Sequence, residues 1–391
     1  MKIIFWISIF IVFYTFFGYG IVMYFLIKIR RAIKGKRFVA EKGSHTPSLT
    51  LMIAAYNEAE IMEEKIKNTL ALEYPADKFS VIIVTDGSSD NTPEIVARYP
   101  QIKLMHKPER AGKIAAMHRA MKEVTSDVAV FTDANTFLNS DAMLYIARHY
   151  ADEKVGCVSG EKKVHADDVA DATAGEGIYW KYESTLKKWD AELYSVVGAA
   201  GELFSIRTSL YQPVPPETIL DDFMISLVVA SKGYRIAYEP LACATEHGSE
   251  SIAEELKRKI RIAAGGIQSI LWLKQLMNPF RHFTLTFEYI SHRVLRWTVT
   301  PFLLILAFIL NGVIAVQTGE WFYVALFACQ CFFYVLALLG WMMEKRQIKI
   351  KALFIPYYFC MMNYAVIAGI RRYIKKGQSA AWEKAKRRQV G

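Results

Sequence analysis

Four runs of polar residues interrupt apolar segments in the first third of the chain: Tyr56-Asn57-Glu58, Asp86-Gly87, His106-Lys107 and Asp133-Ala134-Asn135. Three of the four carry an acid, and Gly112-Lys113 follows the third run. Carboxylates accept protons from hydroxyl and N–H groups, and a lysine ammonium offers a point charge to an anion. One such acid beside an apolar run is usually a turn residue or a helix cap. Three of them meeting at one place would grip a polar, hydrogen-bonding ligand together with a cation.

The flanking elements decide whether they meet. "SLTLMIAAYNE" reads as a buried strand running into a loop, and "EAEIMEEKIKNTLAL" has apolar residues at helical spacing. "FSVIIVTDGSSDNT" repeats the scheme, with Pro93 as a good first-turn residue for the next helix. "QIKLMHK" with "GKIAAMHRAMKEV" makes a third unit, and "DVAVFTDAN" supplies a fourth strand. Strands alternating with helices predict an α/β domain with a mostly parallel sheet over residues 45–277. Ligands of such sheets bind beyond the carboxyl ends of the strands, where all four runs lie.

The rest of the chain is apolar. Its 391 residues carry 48 Lys+Arg against 38 Asp+Glu, a formal charge of +10, and are 53% hydrophobic. Ile3 to Ile27 is long enough to cross a bilayer, which takes about 20 apolar residues. It runs into "KIRRAIKGKR" with no cleavage-site pattern, so residues 1–30 read as a retained anchor with Lys28–Arg37 on the cytoplasmic side. "PFRHFTLTFEYISHRVLRW", within 278–298, reads as an amphipathic helix on the membrane surface. Residues 299–372 hold two apolar spans, Val299–Val316 and Trp321–Met343, joined by "QTGE", and a weaker one, Leu353–Ile370. Basic stretches flank that weaker segment on both sides, so either it is re-entrant or interfacial or one stretch lies on the unexpected side. A basic tail, 373–391, ends the chain.

The five cysteines show no metal-ligand spacing, which suits a reducing, cytoplasmic domain. Positive charge beside apolar spans can meet anionic membrane lipid, and no nucleic-acid-binding motif appears.

At these motifs the chain resembles the membrane-embedded family 2 glycosyltransferases with a GT-A fold, the branch of cellulose, chitin, hyaluronan and poly-N-acetylglucosamine synthases and ceramide glucosyltransferase. "AAYNEAE" is similar to the opening motif, with Ala55 where the family often has Pro, and "VTDGSSDNT" and "ERAGKIAAMHRAM" resemble the second and third. "FTDAN" occupies the Asp-x-Asp place, and "ILDDFMISLVVASKGYRIAYEP" the Thr-Glu-Asp region. The resemblance implies a GT-A, Rossmann-like cytoplasmic domain between N- and C-terminal transmembrane helices, in a multi-pass plasma-membrane protein. It also implies an inverting transfer from a nucleotide-sugar, a UDP-sugar by preference, onto a growing exopolysaccharide or similar glycan. Tyr56, Glu58 and Asp86 would bind uracil and ribose, and Lys113 would offset phosphate charge. Asp133 would hold Mg²⁺ or Mn²⁺ beside the diphosphate, with Asn135 as a second, uncharged ligand. Asp222 aligns with the catalytic base and Asp221 with the neighbouring Glu. Their mutual repulsion raises the apparent pKa of the pair. An Asp is also a favoured N-cap for a helix expected to begin at Phe223.

The likeness fails in one place. Synthases carry Gln-x-x-Arg-Trp where this chain has "RKIRI": Arg261 matches the Arg, Arg258 stands for the Gln and Ile262 for the Trp. Arg258 and Arg261 share a helix face and suit a diphosphate, while a basic helix lying on lipid is the plainer alternative. Trp180, in "EGIYWKYESTLKKWDAELYS", and Asp221 are then candidates for acceptor contact, and His247 for an extra metal ligand. The missing Trp favours single addition to a polyprenyl-phosphate or glycolipid acceptor as the alternative to a polymer. An inactive transporter or scaffold fits less well, since Asp86, Asp133 and Asp222 are all present. Other polysaccharide-synthesis proteins are the further partners the branch implies.

Overall fold

The structure, a computed structural model, describes residues 1–164, 174–248, 251–346, 348 and 350–375, with backbone alone at 174–180 and 351. Eight strands form one sheet: β1 (Leu49–Ala55), β2 (Phe79–Asp86), β3 (Lys103–Lys107), β4 (Val128–Asp133), β5 (Phe137–Leu138), β6 (Val155–Val164), β7 (Leu203–Arg207) and β8 (Arg235–Glu246). Their order is β3-β2-β1-β4-β7-β6-β8-β5. The first four are parallel to one another, β7 is antiparallel to β4 and to β6, and β6 and β8 are parallel.

The helices are α1 (Lys2–Lys34), α2 (Ala59–Leu70), α3 (Thr92–Ala97), α4 (Lys113–Met121), α5 (Ala142–Ala147), α6 (Ala174–Leu193), α7 (Asp221–Ser231), α8 (Ile252–Trp272), α9 (Pro279–Tyr289), α10 (Thr300–Thr318), α11 (Trp321–Lys345) and α12 (Lys351–Ile374). All seven residues of β1 are buried, because helices cover both faces of the sheet. The period-two alternation then divides the core. Met52 joins Val84, Phe131 and Phe204 on one face, and Leu51 and Ile53 join Met62, Val130 and Ile146 on the other.

Register brings the polar strand ends level. Ala54 lies opposite Asp133, Ala55 opposite Thr85, and Asp86 opposite Lys107. The expected mostly parallel α/β sheet is therefore present, enlarged by four strands. Of those strands β5 is two residues long, β7 is antiparallel to both its neighbours, and β6 and β8 pair in parallel.

Among the described residues, four helices are long and apolar enough to cross a membrane: α1, α10, α11 and Ala352–Ile374 of α12. The expected N-terminal span continues as helix through the basic residues to Lys34. In the segment read as an amphipathic surface helix, 279–297, Phe280, Arg281 and Phe283 are exposed, while Arg293 and Arg296 pair inward. Glu183 of α6 accepts Arg293 at 2.8 Å and Arg296 at 2.9 Å, with His292 at 3.2 Å. His292 also contacts Asp190 at 2.6 Å, and Tyr19 of α1 donates to the same carboxylate at 2.6 Å. Charges buried this deeply must be paired, and the pairs tie α1, α6 and the 288–296 segment together.

Candidate active site

The loop after β1 is clamped by the loop after β2. Asn57, at φ 53°, accepts the Ser89 amide on its side-chain oxygen at 2.8 Å, and its own amide donates to Ser88 Oγ at 3.2 Å. The Glu58 amide donates to Thr92 Oγ1 (2.9 Å) and the Ala59 amide to Asp90 Oδ2 (3.0 Å). The "SSDNT" stretch is thus the scaffold that seats Glu58, whose side chain is buried.

Asp86 has a comparable task one strand along. Its Oδ2 accepts the Ala111 and Gly112 amides at 2.8 and 2.6 Å, fixing the turn that starts α4. Its buried Oδ1 makes no hydrogen bond among the described residues, and Arg119 Nη1 stands 3.5 Å away. That leaves one carboxylate oxygen able to accept a ligand hydroxyl. Gly87, at φ 70°, is required here, because a Cβ would fall 2.5 Å from Arg110 Cβ. Arg110 lies over the Tyr56 ring at 3.9 Å, and the recess beside them is lined by Ala54, Ala55, Asp86, Gly112 and Lys113.

The centre of the site is a lysine among acids. Lys113 Nζ stands 2.8 Å from Asp133 Oδ1 and 3.4 Å from Asp221 Oδ2. Burial disfavours its charge, but the Asp133 and Asp221 carboxylates outweigh this and hold the ammonium well above the usual lysine range. The turn after Asp133 is fixed from below. Thr136 Oγ1 donates to the Asp133 carbonyl at 2.9 Å, and fully buried Lys65 donates to the Thr136 carbonyl at 2.5 Å. Burial pushes Lys65 down to about 7.

Helix α7 starts at Asp221, not at the expected Phe223, and Leu220 occupies its N-cap position with no side-chain cap. Neither aspartate caps the helix. Both occupy its first turn, where the helix dipole favours negative charge. Asp222 is pushed up to about 7, first by burial and then by the Asp221 charge, with Lys113 acting in the opposite sense. Gly201 faces it closely, since a Cβ there would lie 3.0 Å from Asp222 Oδ2.

Residues that the sequence reading missed hold this aspartate pair in place. Gln268 of α8 accepts the Ile219 amide at 2.9 Å and donates to the Glu217 carbonyl at 2.9 Å, clamping the approach to Asp221. Nothing in the local pattern marks this buried Gln, which follows the Gly265-Gly266 pair. Lys162 of β6 binds Glu202 at 2.6 Å and also Glu246. Its charge, working against burial, holds the Glu202 carboxyl well below the usual carboxylate range.

The two expected arginines part company. Arg258 donates to Glu255 at 2.9 and 3.0 Å and lies 3.8 Å from Glu246, whereas Arg261 reaches the Ile219 carbonyl at 3.5 Å, beside the aspartates. Trp180 falls on the backbone of α6, and its side chain lies outside the described residues. The Trp297 ring lies 5.4 Å from that of Phe223, the residue that follows Asp222. No group of three or more His, Cys, Asp or Glu able to hold a metal occurs among the described residues, so His247 completes no such set.

Residues 50–214 match the family model described as Glycosyl transferase family 2. The chain is similar to the poly-beta-1,6-N-acetyl-D-glucosamine synthase of Staphylococcus aureus (strain COL), 28% identical over 262 residues, covering 64% of this chain and 62% of that protein. It is also similar to the synthase of the same name from Staphylococcus epidermidis, 25% identical over 285 residues, 70% of this chain and 68% of that one. The aligned part thus spans less than two thirds of the first of these relatives. Among solved structures, the mannosyltransferase PcManGT from Pyrobaculum calidifontis, in complex with GDP-Man and Mn²⁺, has a similar fold. The TM-score is 0.72 at 23% identity, covering 96% of this chain and 100% of that one. The GT-A-like fold is therefore the one expected from the motifs.

Proposed function

We propose, for a chain that carries a family 2 glycosyltransferase domain on a GT-A-like sheet, that it is a membrane-bound inverting transferase moving a sugar from a UDP-sugar onto a growing exopolysaccharide. The observation that carries this reading is Asp222, a half-buried carboxylate pushed up to about 7, in the first helical turn of the chain segment whose Asp221 meets Lys113, itself paired with Asp133. A general base works best when its pKa lies near the working pH.

In this mechanism Asp222 takes the proton of the acceptor hydroxyl. The acceptor oxygen bonds to the anomeric carbon from the face opposite the diphosphate, and the bond from that carbon to the diphosphate oxygen breaks. Asp86 Oδ1 and Glu58 accept hydrogen bonds from the nucleoside, with Tyr56 at its base. Lys113 and Arg261 meet the charge that grows on the departing diphosphate. Arg258, engaged by Glu255, contributes to the field at longer range. Asp221 keeps Lys113 in place and raises Asp222.

The donor set suits a divalent ion of the Mg²⁺ or Mn²⁺ kind. The Asp133 carboxylate and the Asn135 amide are hard oxygen ligands, and such ions complete their shells with substrate phosphates and water. The ion would offset diphosphate charge.

The domain would face the cytoplasm of the plasma membrane, with α1, α10 and α11 crossing. Helix α12 would instead lie on the membrane surface. Phe354, Tyr358 and Met361 of α12 pack against Ile252 and Leu256 of α8, and Gly369 comes against Ala263. Helix α8 carries buried Glu255 and Lys259 and the clamp at Gln268, so a helix lying along it for several turns shares its depth. That arrangement leaves both basic flanks of α12 on the cytoplasmic side.

Nucleotide release from UDP-sugars by purified membranes, comparing wild type with Asp222→Asn, tests the assignment. Equal release for every donor would refute it. Ile262 in place of Trp favours a second reading, single addition to a lipid-linked acceptor, and product sizing separates the two.

A further inference from the structure

Away from the strand-end site lies a second cavity of about 770 Å³, a size typical of small-molecule pockets. It opens beside Val155 and Arg235, which begin β6 and β8. Since β4 and β6 are both antiparallel to β7, those strand starts lie at the sheet edge opposite Asp133. One wall is the basic end of α1 and the segment after it, and another is α6.

The lining is strongly cationic. Arg31, Lys36, Arg37, Arg148, Lys188 and Arg235 face two acids, Asp152 and Glu192. Arg31 already takes Glu192 in a two-point contact at 2.6 Å, Arg235 takes Asp152, and Arg148 takes Glu239 at 2.6 Å. Among the described residues Lys36, Arg37 and Lys188 have no ion pair. Burial, and then Arg235 and Arg30 nearby, push the Arg37 guanidinium down to about 10. Three cations at a half-enclosed site with their acids already used form an anion receptor. The apolar side chains of Phe38 and Val39 line the same cavity, and Phe38 is 85% exposed.

We propose that this cavity binds a phosphate-bearing anion, and that its source is the headgroup of an anionic phospholipid at the cytoplasmic end of α1. The apolar rim and the position beside a helix long enough to cross the membrane favour a lipid over a soluble phosphate. The site is separate from the donor site and needs no turnover to be read.

The test uses the full chain in nanodiscs of phosphatidylcholine, with or without phosphatidylglycerol, and follows the thermal unfolding midpoint and binding of short-chain phosphatidylglycerol. A ligand that binds the folded state raises the midpoint. Lys36→Gln with Lys188→Gln removes two cations that make no hydrogen bond or ion pair among the described residues, so the fold is spared. The double variant should lose the rise and bind the lipid roughly tenfold or more weakly, from about 1 kcal/mol per cation. Lys28→Gln with Lys34→Gln, equally basic and outside the cavity, is the control. If inorganic phosphate alone reproduces the rise in wild type but not in the cavity variant, the anion site stands and the lipid source falls. Equal responses of wild type, cavity variant and control would overturn the proposal, whatever the transferase assay shows.

Discussion

The Lys113 ammonium lies 2.8 Å from Asp133 Oδ1, on the carboxylate that the family 2 reading gives to a metal ion. On that reading lysine and metal would compete for the same oxygens, and a bound diphosphate would draw the lysine away. Lys113→Gln should bind Mn²⁺ more tightly than wild type in the absence of donor, while UDP binding weakens. Mn²⁺ titration followed by electron paramagnetic resonance reads the first effect directly. Unchanged Mn²⁺ affinity would remove Asp133 from the metal site.

Asp222 should give the acid limb of the pH–rate profile. A base must be deprotonated to act, so activity should rise with pH through about 7. Asp221→Asn removes the second-largest cause of that elevation, so the limb should move to lower pH. Asp222→Asn should cost about 10²–10⁴-fold in turnover, the usual share of general-base catalysis. Stability carries the opposite sign. Between the ordinary value of 3.8 and about 7 the folded protein binds the extra proton, so this group makes stability fall as pH rises through that window. Asp222→Asn should flatten that slope in denaturant titrations at several pH values.

The Gln268 clamp predicts a different kinetic signature. Its two hydrogen bonds to the Glu217–Ile219 backbone set where Asp221 and Asp222 begin, yet it touches neither carboxylate. Gln268→Ala leaves the buried Ile219 amide without its acceptor, a cost of about 1–3 kcal/mol. Turnover should fall with little change in the KM for donor, and Gln268→Glu, which keeps the acceptor oxygen, should recover part of it. Loss confined to donor KM would show that the clamp serves another part of the site.

The sequence shows some of this plainly and hides the rest for physical reasons. Strands β1, β2 and β4 are legible because parallel strands buried on both faces are continuous apolar runs, and polar residues fall at their ends. By contrast, β3 is an exposed edge strand placed by its neighbours. Strands β6 and β8 carry charged residues within their length, and β5 is only two residues long. The Asn57–Ser89 and Gln268–Ile219 contacts join residues 32 and 49 apart, which no local pattern encodes. Arg258 and Arg261 look alike on a helix face. What separates them is Glu255, one turn earlier on the same helix, which takes the first in a two-point contact, with Glu246 of β8 at 3.8 Å. Arg293 and Arg296 pair with Glu183, more than a hundred positions earlier, another contact that no local pattern encodes.

The packing of α12 along α8 makes a topological prediction. If α12 lies on the cytoplasmic surface, the chain crosses three times and its C-terminus is cytoplasmic. A green fluorescent protein fused after Gly391 should fluoresce, and alkaline phosphatase fused there should be inactive. The reverse pattern would mean that α12 crosses and that α8 lies deeper than its charges suggest.

Asn135 stands where the family's second acid is expected, two residues after Asp133 and on the same turn that Thr136 and Lys65 fix. An amide oxygen is a competent ligand for a hard cation but adds no negative charge, so on the proposed reading an ion held here would lean on the diphosphate and on water. Asn135→Asp adds one charge without changing the reach of the side chain. Metal affinity in the absence of donor should rise, and less metal should be needed for half-maximal activity. Lys113 sets a limit on the gain, because its ammonium already faces the Asp133 carboxylate and will pair with the new one as well if it reaches. The double variant Asn135→Asp with Lys113→Gln should therefore gain more in Mn²⁺ affinity than the sum of the two single changes. Strict additivity would mean that lysine and metal do not share the site.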